Sequence, residues 1–109
     1  MEEITVQQLK QKIDDGDALL VLDVREPFEK HQSDIGYEQT VLIPVDSLQD
    51  RVGELEEYKD KEVVCLCRSG SRSARACRFL EQQGFTDVKN LKGGINQWAR
   101  NIDSRLPIY

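Results

Sequence analysis

Apolar positions along the chain follow two rhythms that take turns. Ala18–Val24 (ALLVLDV) is short and almost solidly apolar, the pattern of a strand buried on both faces of a parallel sheet. Thr40–Val45 (TVLIPV) is a second such run, stopped by Pro44, and Glu62–Leu66 (EVVCL) is a third. Asp87–Leu91 (DVKNL) predicts a last strand. Between these runs the spacing changes to that of a helix. Val6, Leu9 and Ile13 share one face behind a Thr5–Gln8 capping box, after a short start that contains Ile4, and Gly16 can end that helix. A brief helical turn follows Arg25, with Pro27 near its start. Asp46 or Ser47 is placed to cap a helix that carries Leu48, Val52 and Leu55 on one face. Ser73–Gln83 predicts a helix closed by Gly84, and Gly94–Arg100 a last one. Strands alternating with helices pair in parallel through right-handed crossovers, so the fold class is α/β.

Composition narrows the setting. At 109 residues, 39% hydrophobic and 32% charged, the chain has the make-up of one globular domain with a single core. No apolar run exceeds about five residues, far short of a membrane span. The start, MEEITV, lacks the basic-then-apolar order of a signal peptide. A net charge of −5 argues against nucleic acid or an anionic membrane as partner. Three clustered cysteines, Cys65, Cys67 and Cys77, make a poor disulfide framework and imply a reducing, cytoplasmic location.

Against that acidic background, Val63–Phe79 (VVCLCRSGSRSARACRF) holds four arginines and no carboxylate. Cys67 lies one residue past the predicted strand end at Leu66, where open α/β sheets place their functional crevice. Arg68, Ser69, Gly70, Ser71 and Arg72 follow, small or basic, with Gly70 free to adopt positive φ. Such a turn directs successive N–H groups into one concavity at a helix N-terminus, an anion nest that favours thiolate over thiol. Arg68 and Arg72 add positive charge, which makes Cys67 a candidate nucleophile toward an anionic substrate. Arg75 and Arg78 continue at three-residue spacing and read as a solvated helix face. Cys65, inside a strand, and Cys77, in step with Ala74 and Leu80, read as core packing. A zinc site from the three cysteines lacks a fourth ligand at any recognised spacing, and His31 is remote.

Four segments in this order, VLDVREPFE (Val21–Glu29), LIPV (Leu42–Val45), CRSGSRS (Cys67–Ser73) and LKGGINQW (Leu91–Trp98), resemble a single-domain rhodanese, a sulfurtransferase, over roughly Ile4–Tyr109. The resemblance implies one domain over 1–109 with a central, mostly parallel five-stranded sheet and helices on both faces. It implies that Cys67 carries a persulfide, that the backbone amides of Arg68–Arg72 cradle it, and that Asp23 and Arg25 hold the loop in shape. Gly93, Gly94 and Trp98 then have structural roles. The expected reaction is double displacement: sulfane sulfur passes from thiosulfate or a protein persulfide to Cys67, then to cyanide, a thiol or a sulfur carrier. No metal, nucleotide or flavin is implied. Many relatives carry a Gly-His-Ile-Pro-Gly-Ala-like segment where this chain has SDIGYEQTVLIP (Ser33–Pro44), so that loop's contribution does not transfer. The tail Trp98–Tyr109 is similar to the end of rhodanese domains fused to adenylyltransferases that activate ubiquitin-like sulfur carriers, which implies a partner of that kind.

Two rivals use the same residues differently. A small phosphatase or arsenate reductase also needs a cradled thiolate, but its loop follows Cys-x5-Arg, whereas here Ser73 is six after Cys67 and the arginine comes one place early at Arg72. A non-enzymatic rhodanese-like binding module usually lacks the cysteine that this chain keeps.

Overall fold

Two of the three solid apolar runs become inner strands. β2 (Leu19–Asp23) and β4 (Glu62–Leu66) lie side by side, with Leu20 opposite Val63 and Leu22 opposite Cys65. The structure, a computed structural model describing residues 1–109, adds β1 (Glu2–Ile4), β3 (Thr40–Leu42) and β5 (Asp87–Leu91) in the order β1-β5-β4-β2-β3. Every pairing is parallel. The crossovers contain α1 (Val6–Asp14), α2 (Pro27–Gln32), α3 (Leu48–Arg51) and α4 (Ser71–Gln82), and α5 (Gly94–Asn101) follows the last strand. No helix is long and apolar enough to cross a membrane.

Alternation along the strands splits the core into two layers. Leu20, Leu22, Val63 and Cys65 face Leu48, Leu55, Cys77 and Leu80 on one side. Val21, Val64 and Leu66 face Val6, Leu9, Ile95 and Trp98 on the other. Cys67 continues the first layer, so its side chain turns toward the face covered by α4. The expected capping box of α1 is present: Gln8 N–H donates to Thr5 Oγ1 at 3.1 Å and Thr5 N–H to Gln8 Oε1 at 2.9 Å.

Three local expectations are corrected. The run Thr40–Val45 is not a second buried strand, because β3 ends at Leu42 and is half-buried at the sheet edge. Pro44 cannot donate to a ladder, which suits an edge. The helix after Pro44 is broken into a 3-10 turn (Val45–Ser47), α3, and a longer 3-10 stretch (Val52–Tyr58), with no side-chain cap from Ser47. Val52 and Gly53 are poor helix formers at that junction, and only packing of Leu48 and Leu55 holds the segment. Finally, α4 starts at Ser71 rather than Ser73. Gly70, at φ 115°, makes the whole turn alone, so Ser71 and Arg72 belong to the first helical turn.

Candidate active site

At the carboxyl end of β4 the chain leaves the sheet beside the end of β2, where strand order reverses. The two ends are tied together by Val24 N–H donating to the Leu66 carbonyl at 2.9 Å. Cys67 is next in the chain and only 1% exposed. Its Sγ is met by the amide of Gly70 at 3.1 Å, the amide of Ser73 at 3.4 Å and the Ser73 hydroxyl at 3.3 Å. Burial alone pushes the thiol up, but the Ser73 hydroxyl and the amides of Ser73, Gly70 and Ser69 outweigh it and hold Cys67 below the ordinary thiol value. Of these amides, that of Ser73 belongs to the unpaired first turn of α4, and those of Ser69 and Gly70 lie just before it.

The loop is oriented from behind by α5. Ile95 N–H donates to the Cys67 carbonyl at 2.9 Å and Asn96 N–H to the Arg68 carbonyl at 3.1 Å. In a trans peptide the N–H points opposite to the C=O, so both bonds turn the Arg68 and Ser69 amides away from α5. This approach requires Gly94: a Cβ there would lie 2.3 Å from the Arg68 oxygen and 2.5 Å from the Cys67 oxygen, and its φ is +63°. Gly94 therefore lets α5 approach the back of the nest, while a Cβ at Gly93 would meet only the Gln97 side chain.

The arginines divide into two kinds. Arg25 is fully buried, fork-to-fork with Asp23 at 2.7 and 2.8 Å, and also donates to the Glu29 carbonyl and to Tyr109 Oη. Arg72 directs both terminal nitrogens at Glu29, at 2.7 and 2.8 Å. The Arg72 guanidinium holds the Glu29 carboxyl at about 2, against an ordinary value of 4.5, helped by the Glu26 amide and Tyr109 hydroxyl. Arg72 is thus a brace between α4 and α2, its charge spent on a carboxylate. Arg68 is exposed, makes no ion pair, and rests with its guanidinium carbon 5.9 Å from the Tyr109 ring centre. Tyr109 itself is pinned to α5 by a pair of bonds between its backbone and the Asn96 amide. On the outer side of α4, Arg75 pairs with exposed Asp46, and Arg78 is exposed.

The structure brings together Cys67, Arg68, Ser69 and Gly70 as a turn, places Ser71 and Arg72 on the helix that follows, and ties Asp23 and Arg25 to that helix through Glu29. Sulfur Sγ is reached by the Ser73 amide, one position beyond the Arg68–Arg72 span. Four contributors escaped sequence reading: Ser73, Asn90, Glu29 and Tyr109. Signals existed for two of them, since Glu29 closes the VLDVREPFE segment and Asn90 is a polar residue among buried strand positions. Two neighbouring cavities, of about 420 and 450 Å³, are both lined by Tyr37 and Ile13 and do not include Cys67.

A parallel five-stranded α/β domain with a cysteine at the end of a central strand, wrapped by a tight amide loop that opens a helix, defines a class of thiolate-cradle proteins. The chain belongs to the rhodanese-like domain family, whose pattern matches residues 5–101. It is 40% identical to a sulfurtransferase of Allochromatium vinosum, over 93% of this chain and 91% of that one. It is 33% identical to the adenylyltransferase and sulfurtransferase MOCS3-1 of Zea mays, over 97% of this chain but 23% of that longer protein. A solved rhodanese-related protein of Thermoplasma volcanium superposes with a TM-score of 0.79 at 34% identity, covering 100% of this chain and 98% of the other. These relatives support a sulfurtransferase role in general.

Proposed function

We propose that the protein moves a sulfane sulfur through a persulfide on Cys67. The Cys67 thiolate attacks the outer sulfur of thiosulfate or of a protein persulfide. A new S–S bond forms, the old one breaks, and sulfite or a thiolate leaves with the electron pair. The terminal sulfur then carries the negative charge among the amides of the Arg68–Arg72 turn until a nucleophilic acceptor takes it. Cyanide in an assay, a thiol, or a ubiquitin-like sulfur carrier would serve. Asp23 and Arg25 support the turn through Glu29. Arg68, the loop arginine without an ion-pair partner, is the side chain left to meet the donor's anionic half.

One observation carries this reading: two amides and a hydroxyl converge on a single sulfur atom at 3.1–3.4 Å. A phosphoryl group needs donors for three equatorial oxygens, and Arg72, the arginine closing the loop, is held by Glu29. The carrier as acceptor rests on the resemblance of the tail and on the maize relative, whose name joins the two activities.

Intact-mass measurement after incubation with thiosulfate tests the reading. One added sulfur, lost on treatment with cyanide and absent from Cys67→Ser, is expected. Hydrolysis of p-nitrophenyl phosphate that vanishes with Cys67→Ser, without sulfur loading, would put the phosphatase in its place.

A further inference from the structure

Behind Cys67 a single hydroxyl faces more acceptors than it can serve. Ser73 is fully buried, and its Oγ lies 3.3 Å from Cys67 Sγ, 3.2 Å from the Gly70 carbonyl and 2.5 Å from Asn90 Oδ1. A serine hydroxyl has one proton to give. The Gly70 carbonyl already accepts from the Ala74 amide and from Asn90 Nδ2, both at 3.1 Å, so it makes the weakest claim on that proton. Asn90 is 3% exposed, and its Nδ2 bond to Gly70 turns Oδ1 toward Ser73. Two acceptors remain, Sγ on one side and Asn90 Oδ1 on the other.

We infer that the Ser73 hydroxyl is a two-position switch, opposed by Asn90, that follows the negative charge of the site through the reaction. With Cys67 as thiol, S–H donates to Ser73 Oγ and the hydroxyl donates to Asn90. With Cys67 as thiolate, the hydroxyl rotates to Sγ and leaves Asn90 Oδ1 without a donor. The next step rests on the persulfide reading of the preceding subsection. Thiolate plus thiosulfate gives Cys67–S–S⁻ plus sulfite, so the charge moves one atom outward and Sγ becomes a neutral bridging sulfur. The hydroxyl then returns to Asn90. Ser73 therefore stabilises the empty thiolate in preference to the loaded persulfide, and Asn90 limits that preference. Ser73 and Asn90 are positioning residues that set how tightly the site keeps its sulfur.

Thiolate absorbance near the ultraviolet edge, followed against pH and differenced from Cys67→Ser, reads the first half with no sulfur donor present. Ser73→Ala should raise the Cys67 inflection by about one pH unit, the worth of one charge-assisted hydrogen bond. Asn90→Ala should lower it, because the thiolate no longer competes for the proton. In Ser73→Ala the further change Asn90→Ala should do nothing. Arg68 in the turn, Arg72 with Glu29, Cys65 on β4, the Asp23–Arg25 pair at the end of β2 and Tyr109 in the tail are untouched in every variant. The Ala74 bond remains on the Gly70 carbonyl, so the turn keeps its closure, and Asn90→Val offers a bulkier form without an acceptor if Asn90→Ala does not fold. Ser73→Thr keeps a hydroxyl and should hold the inflection near that of the unaltered protein. Mass spectrometry at a fixed thiosulfate-to-sulfite ratio reads the second half, where Ser73→Ala should raise the loaded fraction several-fold. An inflection that rises in Asn90→Ala, or an Asn90 effect that survives in Ser73→Ala, would assign Asn90 a purely structural role and overturn the switch. So would a fall in loading for Ser73→Ala. If the unaltered protein takes up no sulfur, the persulfide reading fails, whereas the titration still decides whether Ser73 and Asn90 compete for the thiolate.

Discussion

Cys65 and Cys67 are two residues apart, face the same core layer, and are equally hidden from solvent, at 0% and 1% exposure. Their chemistry runs in opposite directions. The Cys77 thiol beside it, together with burial, pushes Cys65 well above the ordinary thiol value. Cys67 is held below it by donors that Cys65 lacks, because inside β4 every nearby amide is committed to the sheet. Burial raises both thiols, so it does not decide between them. What separates the two thiols here is whether the surrounding backbone donors are already taken.

The sharpest way to break the comparison is to exchange the thiols one at a time. Cys67→Ser is expected to abolish thiosulfate-to-cyanide transfer with the circular-dichroism spectrum unchanged, whereas Cys65→Ser and Cys77→Ser should keep substantial turnover and lose only stability. Full activity in Cys67→Ser would sink the assignment.

Gly94→Ala should make Cys67 resemble Cys65. Its new methyl group meets the carbonyl oxygens of Arg68 and Cys67 at 2.3 and 2.5 Å, and its backbone is at positive φ. The expected cost is about 3 kcal/mol of stability, with the loop turned out of register. Thermal unfolding and the pH dependence of Cys67 alkylation measure the two effects, and an unshifted alkylation profile would show that α5 does not orient the cradle.

Removing the brace acts less strongly. Arg72→Ala leaves the Glu29 carboxylate with only Tyr109 and the Glu26 amide, and a loss of about 2 kcal/mol is expected because the Arg72 side chain is one-third exposed. The pH dependence has a definite sign. Glu29 is depressed from 4.5 to about 2, so its contribution is complete above about pH 4.5 and is lost as pH falls toward 2. Urea unfolding at a series of pH values should show this acid-side loss in the parent and a flatter limb in Arg72→Ala. Arg78→Ala, on the solvated side of α4, should change stability by less than about 0.5 kcal/mol and leave sulfur transfer alone. Equal losses from Arg72→Ala and Arg78→Ala would erase the distinction between brace and surface.

Much of this was legible in the chain because it depends on local rules. The apolar runs at Ala18–Val24 and Glu62–Leu66 announce inner strands, the Thr5–Gln8 box announces a helix start, and Cys67-Arg-Ser-Gly70 after a strand announces a nest. The broken helix near Val52 and the short β3 were not legible, since apolar spacing marks which residues are buried without specifying which backbone hydrogen bonds form around them. The arginines are the clearest case. By sequence, Arg68 and Arg72 are equivalent cations flanking one loop, four positions apart. Their difference comes from a carboxylate forty-three positions away and a tyrosine eighty positions from that carboxylate.

The sequence by itself determined the fold class, the position of the thiol at the end of a central strand, and the tight turn at Gly70, because periodicity and backbone freedom are properties of neighbouring residues. Only the tertiary structure decided which cation is free, which amides and which hydroxyl reach Sγ, and why Gly94 must be a glycine. Those outcomes depend on distances of about 3 Å between segments that the chain keeps far apart. Several donors reaching Sγ at that range, set against none from the backbone around Cys65, give two equally buried thiols opposite shifts.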